Sequence, residues 1–243
     1  MPSFSGVFAR TDKYFIKRYE DETNLRVYFA LDRSASMNYS SGEGPTKFQF
    51  ACHLAAALGY VIVKARDSVG LFLYAEKVDV RMDAANSFQH LNNMLKHVQA
   101  NPPGANSGTG IAQTLHEIAA SVRRRALVVV ISDLLGDEAA VVKALAHLRK
   151  QRHDVLVFQT LDPAEIDLSF KKACELHDLE TGERLAVNPR GLADEYRKVF
   201  GAFLEQYQKA CAGMNIDYRL VRTDQPLESF VRAYLEERRR LSR

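Results

Sequence analysis

A chain of 243 residues, 47% of them hydrophobic, holds enough apolar material for one large α/β domain. A formal net charge of +3 is too weak a bias to imply nucleic acid. Three cysteines, odd in number and far apart at Cys52, Cys174 and Cys211, read as reduced core residues and not as a disulfide framework.

The opening stretch MPSFSGVFARTDKYF has no apolar run of signal-peptide length. LRVYFAL (25–31) is a short, nearly continuous apolar run, as expected of a strand covered on both faces. Residues 47–64 read as a helix rich in alanine and leucine. Within it LAAALGYVIV is the longest apolar run, roughly half of what spans a bilayer, so no membrane segment and a cytoplasmic location are expected. SVGLFLYA and KVDVRM pair as strands with Glu76 and Lys77 at the turn, and residues 87–98 are helical, with Phe88, Leu91, Leu95 and Val98 at helical spacing. NPPGANSGTG is a loop by composition, followed by a helix from about Thr109 to Arg123.

ALVVVIS (126–132) is a strand, because consecutive β-branched residues disfavour helix. A helix over 138–150 buries Val141, Val142, Leu145 and Leu148, and DVLVFQT is the next strand. Residues 170–188 read as a hairpin turning at Thr181-Gly182. A helix after Pro189 carries Leu192, Tyr196, Val199, Phe200, Phe203, Tyr207 and Cys211 on its apolar face. IDYRLV and an amphipathic helix with Leu227, Phe230, Val231 and Tyr234 close the chain. Strands alternating with helices imply a mainly parallel sheet with helices on both faces. The expected organisation is a single domain over 1–243, with an N-terminal extension (1–24) and a hairpin insertion (165–190).

In such sheets ligands bind beyond the carboxyl ends of the strands, where the winding reverses. Asp32 and Asp133 each stand just past the end of a strongly apolar strand, and those strands are expected to be neighbours at that point. RVYFALDRSASM adds Ser34 and Ser36 to Asp32, and Thr109 follows a glycine-rich loop. Two carboxylates and three hydroxyls are hard oxygen ligands that suit magnesium, whereas zinc asks for histidine or cysteine. The bland alternative makes Ser34 and Ser36 turn residues and Asp133 the cap of the next helix. Both aspartates are expected on the solvent-facing rim of the sheet.

Other chemistries fit less well. A haloacid-dehalogenase-type phosphatase wants a second acid where Ser34 stands. SGEGPTK departs from a P-loop because its lysine does not follow a glycine. GTGIAQ fails the dinucleotide pattern at its third glycine, and HEIAA lacks the second histidine of a zinc-protease helix. The seven histidines show no ligand spacing. The runs RRR (123–125) and EERRRLSR are interleaved with or close to acids and read as solvated helix ends, so no nucleic-acid partner is expected.

DRSAS, a threonine entering a helix and VVVISD resemble the metal-ion-dependent adhesion site of von Willebrand factor A domains. Asp32, Ser34, Ser36, Thr109 and Asp133 match its Asp-x-Ser-x-Ser, Thr, Asp pattern one for one. KRYEDETNLR, ISDLL and DLETGERL extend the likeness to a bacterial family of A-like proteins commonly encoded beside MoxR-type AAA+ ATPases. Many longer relatives carry membrane segments and a β-domain; this chain is similar to the short cytosolic form. The resemblance implies a von Willebrand factor A-like, Rossmann-like fold. It also implies Mg2+ (or Mn2+) held by those five residues, and a protein partner that supplies an Asp or Glu carboxylate. A non-enzymatic interaction module is expected, acting with a MoxR-type ATPase in assembly or maturation of a complex; the alternative is a metal-dependent phosphohydrolase. Gly110 stands where relatives often place an aspartate, which implies lower metal affinity. The acidic run Arg18–Asn24 is expected to shape a contact surface.

Overall fold

The structure is a computed structural model that describes residues 25–42, 44–104, 108–168, 174–177, 179, 184–187 and 189–241. Strand β1 (Arg26–Asp32) lies at the centre of a six-stranded sheet because its side chains are apolar on both faces. Val27, Phe29 and Leu31 enter one core, Tyr28 and Ala30 the other. β1 pairs in parallel with β2 (Ser68–Tyr74) on one side and with β4 (Leu127–Ser132) on the other. β5 (Asp154–Leu161) and β8 (Asp217–Arg222) continue the parallel sheet beyond β4. β3 (Val78–Ala85) closes the opposite edge antiparallel to β2, giving the order β3-β2-β1-β4-β5-β8.

Helices α1 (Lys47–Lys64), α2 (Phe88–Ala100) and α7 (Leu227–Leu241) cover one face through Leu54, Leu58, Leu91, Met94 and Tyr234. Helices α3 (Ile111–Ser121), α4 (Glu138–Lys150) and α6 (Pro189–Gly213) cover the other through Leu115, Ile118, Leu145, Tyr207 and Cys211. The winding reverses at β1: the chain leaves it through α1 to β2 and later adds β4 on its other side. The expected neighbours are therefore adjacent, with Asp32 and Asp133 at their carboxyl ends.

Local signals explain the boundaries. Thr46 and Gln49 form a reciprocal capping box that starts α1 where expected. Asp137 accepts from the Ala140 N–H and starts α4. A short helix α5 (Pro163–Asp167), absent from the sequence reading, begins with Pro163 in its first turn and a capping box between Asp162 and Glu165. β6 (Cys174–His177) and β7 (Arg184–Val187) pair antiparallel as a separate two-stranded sheet, and the expected turn at Thr181-Gly182 lies outside the described residues, as does Arg18–Asn24. Among the described residues no helix is long and apolar enough to cross a membrane. Cys52 and Cys211 are free thiols, as expected.

Gly70, in the middle of β2, is required by close approach: a Cβ there would lie 2.7 Å from the Met82 carbonyl oxygen and 2.7 Å from the Tyr28 ring. Gly70→Ala is expected to destabilise the protein by about 1–3 kcal/mol in urea unfolding. Adding Tyr28→Leu should recover only part of the loss, because the Met82 oxygen belongs to the backbone of β3. Wild-type stability in Gly70→Ala would show that β3 yields freely at the edge.

Candidate functional site

The site is assembled where β1 and β4 run out. Past β1, the Arg33 N–H still pairs with the Tyr74 carbonyl (2.7 Å), and the Ser34 N–H turns back onto Asp32 Oδ1 (2.8 Å). A 3₁₀ turn (Ala35–Asn38) follows, but the Ser34 side chain caps nothing in it; its hydroxyl lies 3.1 Å from that of Ser36. From β4, the Ser132 hydroxyl donates to Asp32 Oδ2 (2.6 Å) and accepts from the Leu134 N–H (3.0 Å). Leu134 is in the left-handed region, with φ 57°, a costly conformation for a branched residue. The turn it makes lets the Leu135 N–H reach Asp133 Oδ1 (3.2 Å). Asp137, and not Asp133, caps α4, which removes the bland reading of Asp133. The Thr109 hydroxyl donates to Asp32 Oδ2 at 3.5 Å, and α3 begins two residues later at Ile111.

Asp32 thus gathers Ser34, Ser132 and Thr109, with Ser36 joined through Ser34. The aspartates are not on a solvent-facing rim: Asp32 and Asp133 are both 0% exposed. Residues far away in sequence pack on the strand ends, Thr109 and Ser132 on Asp32 and Lys47 on Asp133, which position in the sequence does not reveal. Burial, and then the charge of Asp133, push the Asp32 pKa up to about 7 against the hydrogen bonds from Ser132 and Ser34. Among the described residues no cation pairs with Asp32.

Asp133 does have one. Lys47, in the first turn of α1 and 0% exposed, donates to Asp133 Oδ2 at 2.7 Å and to Glu165 Oε1 at 2.6 Å. Burial lowers the Lys47 pKa, but Asp133 and Glu165 outweigh it and hold the ammonium above its usual value. Burial lifts the Glu165 carboxyl above its usual range, with Lys47 opposing. Glu165 Oε2 accepts from the Asp162 N–H (2.8 Å), and Asp162 Oδ2 accepts from the Ser41 N–H (3.0 Å). Lys47, Ser132, Asp162 and Glu165 were not identified from the sequence. The only signal for the acids was DPAE, whose proline and glutamate mark a helix start. Among the described residues no three His, Cys, Asp or Glu side chains gather as metal ligands, so any cation site here depends on hydroxyls.

Gly110 has a steric explanation. Its N–H donates to the Ala75 carbonyl (2.6 Å), and a Cβ would lie 1.9 Å from the Glu76 carbonyl oxygen. The β2–β3 turn rests on this position, so an aspartate could enter only if that turn moved. Gly110→Asp is expected to lower stability by about 2 kcal/mol or more. A stable variant with tighter metal binding would restore the reading in which Gly110 merely lacks a supporting carboxylate.

A second expectation follows from Asp32. Its pKa is raised on folding, so the folded state holds a proton that the unfolded chain has already lost above about pH 4. Stability from this group therefore falls as pH rises toward 7, and the full penalty, on the order of a few kcal/mol, stands above that. In chelator, Asp32→Asn should stabilise the protein at about pH 8 and much less near pH 5. Equal effects at both pH values would show that the carboxylate is not held in this way.

Solved structures share this architecture. An aerotolerance-related membrane protein from Bacteroides fragilis superposes with TM-score 0.57 at 18% identity, over 88% of this chain and 98% of that one. BatB from Bacteroides thetaiotaomicron gives TM-score 0.57 at 19% identity, over 90% and 98%. The VWA domain of SpRpn10 covers 85% of this chain at 13% identity, with TM-score 0.49. The likeness to the two Bacteroides structures shows the fold: a mainly parallel six-stranded α/β sheet with one antiparallel edge and helices on both faces. Uncharacterized proteins of Mycobacterium bovis and Mycobacterium tuberculosis are 24% identical over 240 residues, 97% of this chain and 74% of theirs. The model of the family described as "Protein of unknown function DUF58" matches residues 6–209, and the chain belongs to that family.

Proposed function

We propose that this chain is a non-enzymatic, divalent-cation-dependent protein-interaction module. The observation that carries the reading is Asp32: a fully buried carboxylate, beside a second one, met among the described residues only by neutral donors. A buried charge without a counter-charge is expensive, and a cation at this point removes the cost. Asp32, Ser34, Ser36, Thr109 and Asp133 offer the hard oxygens that Mg2+ or Mn2+ prefers, partly through water. A divalent cation held there supplies a Lewis-acidic position for an oxygen from outside the chain.

The hydroxyls of Ser34, Ser36 and Thr109 add no negative charge, so the arrangement favours an incoming acid, an Asp or Glu of a partner protein. The Ser34–Ser41 and Leu134–Asp137 loops, with Pro102–Gly104 and Gly108–Thr109, frame the approach. Arg33, next to the first of these loops, donates to the Pro102 carbonyl (2.8 Å) and to Asp79 Oδ2 of β3 (2.8 Å). The resemblance of DRSAS and VVVISD to an adhesion site supports a docking role, and the wider family likeness supports a MoxR-type AAA+ ATPase as the partner in assembly or maturation of another complex.

Calorimetry with Mg2+ and Mn2+ tests the site. Asp32→Ala should abolish binding with the fold intact. Asp133→Asn, which keeps an acceptor for Lys47, should weaken it. A partner recovered by pull-down should release in chelator and lose affinity when one of its acids is changed to the amide. Undiminished metal binding by Asp32→Ala, or a partner indifferent to chelator, sinks the reading. Metal-dependent turnover of phosphoesters that Asp32→Ala abolishes would replace it with a phosphohydrolase.

A further inference from the structure

Lys47 has no place in the ligand pattern, yet it is the most deeply engaged charge at the site. It takes Asp133 Oδ2, while Asp133 Oδ1 is occupied by the Leu135 N–H. It also takes Glu165 Oε1, while Glu165 Oε2 is occupied by the Asp162 N–H. Both carboxylates are thereby held at both oxygens, and neither swings freely toward a cation beside Asp32. The ammonium is fixed too, since its stem leaves the first turn of α1, which the Thr46–Gln49 capping box pins.

We propose that Lys47 is a specificity-determining residue of the site: it withholds the Asp133 charge from the bound cation, so that the loaded site stays positive and takes an anionic ligand. This rests on the metal reading above and goes further than it. Two free carboxylates would neutralise a divalent cation and leave it little attraction for a third. An ammonium at 2.7 Å from Asp133 cancels one of them. Glu165 balances Lys47 from α5, so burying the lysine does not leave the core with an isolated charge. Metal affinity is sacrificed and residual positive charge retained, which suits a site that must capture an external carboxylate and let it go.

The test is the pair of substitutions Lys47→Met/Glu165→Gln, with Glu165→Gln alone as the second variant. The double variant removes one charge of each sign, leaves the net charge of the cluster unchanged and keeps an acceptor for the Asp162 N–H. Mn2+ should bind the double variant about tenfold more tightly than wild type, because Asp133 is released to the cation. Acetate should raise the apparent Mn2+ affinity of wild type and not of the double variant; complexation of Mn2+ by acetate in solution affects both proteins alike. Glu165→Gln alone should weaken Mn2+ binding several-fold, since Lys47 then bears on Asp133 only. Wild type that binds Mn2+ while the folded double variant binds it equally or less tightly overturns the role of Lys47, as does unchanged affinity in Glu165→Gln. Wild type that binds no Mn2+ overturns the metal reading itself and this inference with it.

Discussion

Two carboxylates are buried side by side where β1 and β4 end, and the surroundings of the site are arranged around the cost of that charge. Left alone, neighbouring buried anions repel each other and lose hydration that no neutral group fully replaces. The chain answers differently for each. Asp133 receives a buried ammonium, itself balanced by Glu165. Asp32 receives hydrogen bonds from Ser34, Ser132 and Thr109 and, among the described residues, no cation. The asymmetry leaves Asp32, whose pKa burial raises to about 7, beside an Asp133 already paired with an ammonium.

The same requirement accounts for local backbone that is otherwise costly. Leu134 adopts φ 57° with its side chain buried, and the reward is two N–H groups, its own and that of Leu135, aimed at Ser132 and Asp133. The Tyr207 hydroxyl donates to the Leu134 carbonyl (3.2 Å), so α6 supports the strained residue from behind. On the other side the Gln159 amide donates to the Asp133 carbonyl (2.8 Å), and the Tyr218 hydroxyl donates to Gln159 (2.5 Å). The strand ends are therefore over-determined by β5, β8 and α6, the condition under which strain persists at a site.

The fold was legible because its signals are local. β-branched runs, helical spacing and caps each act within a few residues, and α1 and α4 start and stop where the pattern places them. The five residues of the pattern were legible for the same reason, as three short stretches at strand and loop ends. Lys47 was not, because nothing near it marks it as buried: it follows a cap, where lysines are ordinarily solvated, and its partners are 86 and 118 residues away. Gly110 was read as a missing aspartate, and only the Glu76 carbonyl, brought over it by the β2–β3 turn, shows that a side chain has no room. Burial of Asp32 and Asp133 was missed likewise, since residues distant in sequence, Thr109, Ser132 and Lys47, pack on them.

These long-range contacts bind the approach to the site into one body. The Ser41 N–H reaches Asp162, Asp162 and Glu165 cap α5, Glu165 holds Lys47, and Lys47 holds Asp133. The Tyr196 hydroxyl adds α6 by donating to the Glu165 carbonyl (2.5 Å). A ligand that pulls on Asp133 therefore meets resistance from α1, α5 and α6 together. Interactions held in this way gain from preorganisation, because little side-chain freedom remains to be lost on docking. The chain of contacts also joins the site to the α5–α6 surface through the ammonium that Asp133 and Glu165 share.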